Sequence, residues 1–281
     1  MNIEKKLCIG TVKFGLNYGA INNQKIRINE IKRIFNYLNN TNINFLDTAS
    51  SYGTSEKTIG KIKSRKFNII SKIYIKNIDS NIEKYLKKSF QNLKTKKIYG
   101  ILIHNSEILL KKESYKIYEQ LCILKKKKLV NKIGISVYDT EVLNKIIKKF
   151  KFDIVQFQAN VFDRSFLKNQ KLKYYKSLGM ELHVRSIFLQ GVLLSNKIPK
   201  KIRDNGKILK KYYNYLKKNN LNPLDFCLNF ILQFKEIDKI IVGIDNLNNL
   251  KQIIKFKKIN KKFLTKKFIT KNKNLIDPRK W

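Results

Sequence analysis

The stretch Phe45-Leu46-Asp47-Thr48-Ala49-Ser50-Ser51-Tyr52-Gly53-Thr54-Ser55-Glu56 decides the fold. An apolar run, Ile43 to Leu46, ends in a carboxylate; a Ser/Thr-rich turn carries Tyr52-Gly53; Ser55-Glu56 opens an amphipathic segment. The pattern predicts strand, loop and helix start, with Ser55 as N-cap. Two further strand-like runs end in a polar residue: 67–71 runs into Lys72, and 99–103 into His104. The three ends recur at about the 30-residue length of a strand-helix-strand unit. Parallel strands so connected bring Asp47, Lys72 and His104 to one C-terminal rim, with Tyr52 just above. In α/β barrels that rim is where chemistry sits. Taken singly, each residue has a plainer explanation: a solvated lysine, a satisfied histidine, a helix-capping aspartate. Their coincidence at matching strand ends is what favours function.

Outward from this stretch the alternation continues. Residues 7–14 predict a first strand, and Tyr18 in the turn-rich loop after it faces the same rim. Helical stripes are predicted over 28–39, 55–62, 79–93 (capped by Asp79 or Ser80), 113–129, 140–149, 167–178, 223–233 and 247–254, with a long loop and then a helix in 198–220. Gly179 suits a left-handed C-cap. Further strands fall at 132–137, 153–158, 181–187 and 237–242. Eight strands, each followed by a helix, predict a (β/α)8 TIM barrel in a single domain, 1–281. A basic tail begins near residue 256 and closes on Leu275, Ile276, Pro278 and Trp281. No Gly-x-Gly-x-x-Gly follows a strand, which disfavours a Rossmann nucleotide site.

The hydrophobic share of 43% over 281 residues supports a sizeable core. The net charge of +41 invites a nucleic-acid reading. The lysines, however, come with excess isoleucine and asparagine throughout the chain. All three have A/T-rich codons, and the lysines form no patch or arm. Specific nucleic-acid binding is therefore not expected, only weak adhesion to polyanions at low salt. Cys8, Cys122 and Cys227 are far apart, without metal spacing, and read as core residues in a reducing compartment. No metal site, membrane span or signal peptide is expected, and the reading is a soluble cytoplasmic protein.

The Asp47-Thr-Ala-x-x-Tyr52-Gly-x-Ser-Glu56 stretch, Lys72 and His104 resemble the catalytic tetrad of the aldo-keto reductase family in kind, order and strand position. Further similarity follows at Gly134-Ile-Ser136, at Gln156 through Asn160 to Asp163-Arg164, at Arg185-Ser186-x-Phe188-Leu189-Gln190-Gly191 and at Gly243. The resemblance spans nearly all of residues 7–255. It implies NAD(P)H-dependent reduction of an aldehyde or ketone, with Asp47, Tyr52, Lys72 and His104 catalytic. It places Ser136, Gln156, Arg185, Ser186, Leu189, Gly191, Gly243 and Asn246 at the cofactor, and Tyr18, Asn160 and Arg185 at a small-molecule carbonyl substrate. NADPH is the implied cofactor, and NADH remains open. The loop around Tyr18 and the ending at Trp281 resemble a bacterial branch associated with surface-sugar metabolism, so a sugar or sugar-nucleotide carbonyl is an expectation.

Chemically, a phenol titrating near ~10 is a poor acid at neutral pH. A nearby ammonium, Lys72, is expected to bring Tyr52 down, with Asp47 as counter-ion to Lys72 and His104 polarising the carbonyl. His183 reads as a polar strand residue. Three departures from the family pattern stand out. Val137 follows Ser136 where an Asn is common, Arg185 stands where an aromatic often stacks on the nicotinamide, and Asp245 would repel a 2′-phosphate. The alternative function is a cofactor-binding, non-catalytic subunit on the same fold. The sequence does not specify the oligomeric state.

Overall fold

A computed structural model describes residues 3–63, 66–264 and 268–281. Eight strands close into one parallel barrel in sequence order: β1 Leu7–Gly10, β2 Phe45–Asp47, β3 Asn68–Ile73, β4 Ile98–Ile103, β5 Val130–Val137, β6 Ile154–Gln158, β7 Glu181–Arg185 and β8 Lys239–Gly243. The helices between them are α1 Ile28–Leu38, α2 Ser55–Ile62, α3 Ile82–Leu93, α4 Tyr115–Lys126, α5 Thr140–Ile147 and α6 Asn169–Ser177. After β7 come α7 Gly206–Lys218 and α8 Pro223–Leu232; α9 Leu247–Ile254 follows β8, and α10 Lys273–Ile276 lies in the tail. The predicted (β/α)8 barrel is the fold observed. No described helix is long and apolar enough to cross a membrane.

The barrel interior has an apolar floor of Cys8, Phe45, Ile70, Leu102, Ile154 and Ile241, a cluster separate from the main core between strands and helices. Side chains alternate along a strand with period two. The residues two places further on therefore share the interior face, one layer nearer the rim: Gly10, Asp47, Lys72, His104, Gln156 and Gly243. An apolar layer thus supports a polar one, and the pleat sets the height of each polar side chain.

Local differences from the sequence reading have physical causes. The first strand stops at Gly10 and Val12–Phe14 turns as a 3-10 helix; Thr11 between them stays tied to β2, its N–H and its Oγ1 both donating to the Asp47 carbonyl. Asn81, rather than Asp79 or Ser80, caps α3 by accepting from Lys84 N–H. Ser55 does not cap α2; its hydroxyl donates to Thr11. Gly179 is left-handed at φ +81°, as expected after α6. The tail is packed rather than loose: Phe268 and Leu275 are fully buried, and Gln158 Nε2 donates to the Ile276 carbonyl. Residues 265–267 of that tail lie outside the described residues.

Candidate active site

Two interstrand devices fix the Tyr52 loop. Thr48 N–H donates to the Ile70 carbonyl, and Ser50 N–H to the Lys72 carbonyl, so the loop after β2 is tied across the top of β3. Gly53 turns the chain at φ +55°, and Gly15 packs so closely that a Cβ there would sit 1.9 Å from the Tyr52 carbonyl oxygen. The loop is thus clamped between its own strand and the turn after β1.

Asp47, Tyr52, Lys72 and His104 converge at the C-terminal rim and line one cavity of about 900 Å³. Lys72 Nζ donates to Asp47 Oδ1 at 2.5 Å and to the Thr48 carbonyl at 3.0 Å. It also lies 5.1 Å from the Tyr52 ring centroid. An ammonium has three donors, so one is left for the phenol side. Burial works against the Lys72 charge, but Asp47 and Tyr52 outweigh it and hold its pKa above the usual value. Burial raises the Tyr52 pKa more than Lys72 lowers it, and Asp47 adds to the rise. The net direction is upward, contrary to the sequence expectation, so Tyr52 is a fully protonated phenol. His104 is brought down to about 4 by burial, then by Lys72 and Arg185. It is therefore neutral near pH 7. Its Nδ1 lies 3.3 Å from Ser51 Oγ, and its ring meets that of Tyr52 edge-on.

Gln156 Nε2 donates to Asp47 Oδ2 at 2.7 Å, and its Oε1 is buried without a partner. A carboxylate only accepts, so the amide orientation is forced, and an acceptor remains on a cavity-lining side chain. Ser136, Arg185, Ser186, Gly191, Gly243 and Tyr18 also line the cavity. A Cβ at Gly243 would meet nothing within 4 Å. The turn after β7 holds Ser186, Leu189 and Gln190 at positive φ. Such strain persists only where the surroundings impose it.

Three sequence-assigned residues fall elsewhere. Asn160 is buried below the cavity wall; its Oδ1 accepts from Phe162 and Asp163 N–H, and its Nδ2 donates to Ser186 O. Leu189 is fully buried core. Asn246 is the N-cap of α9 and accepts from Asn249 N–H. In each case, packing or backbone satisfaction takes the side chain that the motif position suggested for ligand.

The sequence reading passed over Lys13 and Tyr138, which both line the cavity. Lys13 Nζ reaches Asp245 Oδ1 at 2.5 Å, and Asn22 Nδ2 donates to Asp245 Oδ2 at 3.1 Å. The carboxylate expected to repel a phosphate is thus neutralised. No group of His, Cys, Asp and Glu suited to a metal ion occurs among the described residues. His183, the fully buried middle residue of β7, does not line the cavity; its Nε2 lies 3.1 Å from Glu181 Oε2.

A search of curated proteins finds no match. Among solved structures, the chain is similar to the aldo-keto reductase AKR11C1 from Bacillus halodurans in its holo form. The identity is 17%, over 96% of this chain and 95% of that one, with a TM-score of 0.76. It is also similar to the thermostable aldo-keto reductase Tm1743, solved with the inhibitor epalrestat, at 18% identity, 93% coverage of both chains and a TM-score of 0.68. A third is the glycerol dehydrogenase AKR11B4 from Gluconobacter oxydans, at 14% identity, covering 92% of this chain and 88% of that one, with a TM-score of 0.65. At these identities the likeness speaks for the fold. The sequence itself matches the Aldo/keto reductase family over residues 6–274, and so the chain belongs to the aldo/keto reductase family, NAD(P)H-dependent oxidoreductases of small-molecule carbonyls.

Proposed function

We propose that the chain reduces an aldehyde or ketone to an alcohol, with Tyr52 giving the proton to the carbonyl oxygen. The observation that carries this is the single cluster of Tyr52, a buried Lys72–Asp47 pair and a neutral His104 opening onto one cavity. NAD(P)H supplies the hydride when bound. Tyr52, a protonated phenol, keeps its proton until charge develops on the substrate oxygen. Lys72 then stabilises the phenolate as it forms, and Asp47 keeps the ammonium charged in a buried place. In the tautomer whose Nδ1 accepts from Ser51, His104 carries its proton on Nε2 and can donate to the same oxygen.

The residues present fit the cofactor. The unpartnered Gln156 Oε1 and the Ser136 hydroxyl suit the two sides of a carboxamide. Gly191 and Gly243 leave room for phosphates against backbone. NADPH is the proposed form, because Lys13 offsets Asp245 and Lys251, Lys255 and Lys257 line the same cavity. NADH is the alternative. A sugar carbonyl is one substrate that a cavity of this size would take.

The test is Tyr52→Phe. Carbonyl reduction should fall by at least ~100-fold in kcat, within the range of general-acid contributions, while cofactor affinity by fluorescence titration stays within about twofold. Unchanged turnover would remove Tyr52 as the acid. Cofactor binding without turnover of any carbonyl by the parent would favour the non-catalytic subunit.

A further inference from the structure

Among the charges lining the cavity, Lys72 and Lys13 are held in ion pairs and Arg185 is not. Lys72 is matched by Asp47, and Lys13 by Asp245. Arg185, at the end of β7, makes no ion pair among the described residues; its only polar contacts are Ser186 Oγ and the Val137 carbonyl, both at 3.5 Å. Those distances are marginal for hydrogen bonds, so the guanidinium's five donors are largely unspent. The group is nevertheless held in place, because it lies 4.1 Å from the centroid of the Tyr138 ring.

Tyr138 is sandwiched. On it, at 3.6 Å, lies Arg279 from the tail, whose charge is spent on Asp277 and, at 3.5 Å, on Glu107. One arginine braces the ring, and the ring in turn braces the other. Asp163, a carboxylate within reach of the Arg185 charge, makes no ion pair with it and accepts instead from Gln158 Nε2 and Ser165. In register, Arg185 sits beside Gln158, one layer above Gln156, which touches Asp47. A group bound by Arg185 would therefore lie beyond the carbonyl rather than on it.

Resting on the proposed reduction, we infer that Arg185 is a substrate-specificity residue that anchors an oxyanion, so the preferred substrates are carbonyl compounds bearing a carboxylate or phosphate. A planar fork of donors, pre-oriented on an aromatic face, suits bidentate capture of such groups. Leaving a half-buried cation unpaired is costly, and a bound anion relieves that cost.

The experiment compares 4-oxobutanoate with butanal, and glyceraldehyde 3-phosphate with glyceraldehyde, in the full chain with NADPH. The parent should prefer the anionic member of at least one pair by about 10- to 100-fold in kcat/KM, the range of hydrogen bonds to charged groups. The pair that shows the preference identifies carboxylate or phosphate. Arg185→Ala should bring that ratio close to one, mainly through KM, and Arg185→Lys should recover part of it. Calorimetric binding of succinate, with and without NADPH, should weaken in Arg185→Ala. No anionic preference in the parent, or an unchanged ratio or succinate affinity in Arg185→Ala, overturns the assignment. So does a loss of NADPH affinity that matches the loss of kcat/KM, since Arg185 would then serve the cofactor. If succinate binding depends on Arg185 but no carbonyl is reduced, the anchor stands and the catalytic reading falls.

Discussion

Asp47, Lys72 and His104 could be read from the sequence because each interrupts a strand's apolar pattern at the one place where a barrel tolerates it. Lys13 and Tyr138 could not. Lys13 is one of 61 basic residues, and its partner Asp245 lies 232 positions away. The up-shifted phenol was also out of reach, because burial, the larger cause, has no sequence signature. Two titrations follow from the residue environments. His104 is brought down from 6.5 to about 4, so between those values the unfolded chain binds more protons than the native one. Native stability should therefore fall as pH drops from 6.5 to 4, by at most roughly 3 kcal/mol. Glu181 is opposed by burial but held near 2 by His183, Lys132 and Tyr99, so its stabilisation is lost between 4.5 and 2. Denaturant midpoints across pH should show His104→Gln flattening the upper window and Glu181→Gln the lower. Parental slopes in both variants would assign the losses to other groups.

The strand-and-helix alternation was legible from apolar periodicity, while the connections that aim the chemistry were not. Ser55 reads as a cap, yet its hydroxyl goes to Thr11, which in turn holds the carbonyl of Asp47. A sequence shows a capping residue type; it does not show a competing acceptor 44 positions back. The same contact zone makes Gly15 a sensitive position. A methyl there would meet the Tyr52 carbonyl at 1.9 Å and the Ser55 nitrogen at 2.3 Å, all backbone atoms that cannot swing aside. Gly15→Ala should cost about 1–3 kcal/mol in stability. By displacing Tyr52 on the order of an ångström it should also lower kcat by around 100-fold. Chemical denaturation and steady-state turnover check both. Stability falling alone would show that the turn after β1 yields without moving Tyr52.

At the scale of the molecule, the barrel was legible because one unit repeats eight times, whereas the docking of the tail was not. Its anchors, Gln158 to the Ile276 carbonyl, Thr270 N–H to the Phe162 carbonyl and Arg279 on Tyr138, carry no local pattern. Charge is the other whole-molecule property. With 61 basic against 20 acidic side chains, most lysines repel without a partner in reach. Surface ion pairs such as Lys125–Asp153 and Lys116–Glu113 each contribute little. Salt weakens both effects, but repulsion among many cations acts over longer distances than pairs in contact. The Debye length contracts from about 30 Å at 0.01 M to about 10 Å at 0.1 M, so repulsion is screened first. Raising NaCl over that range should therefore increase Tm, by roughly 2–4 °C for each kcal/mol of repulsion relieved in a chain of this size. Chloride is the salt to use, since sulfate also strengthens apolar burial and would raise Tm for another reason. A Tm that falls with NaCl would mean that the contact pairs, led by the half-buried Lys13–Asp245 bridge, outweigh the excess charge.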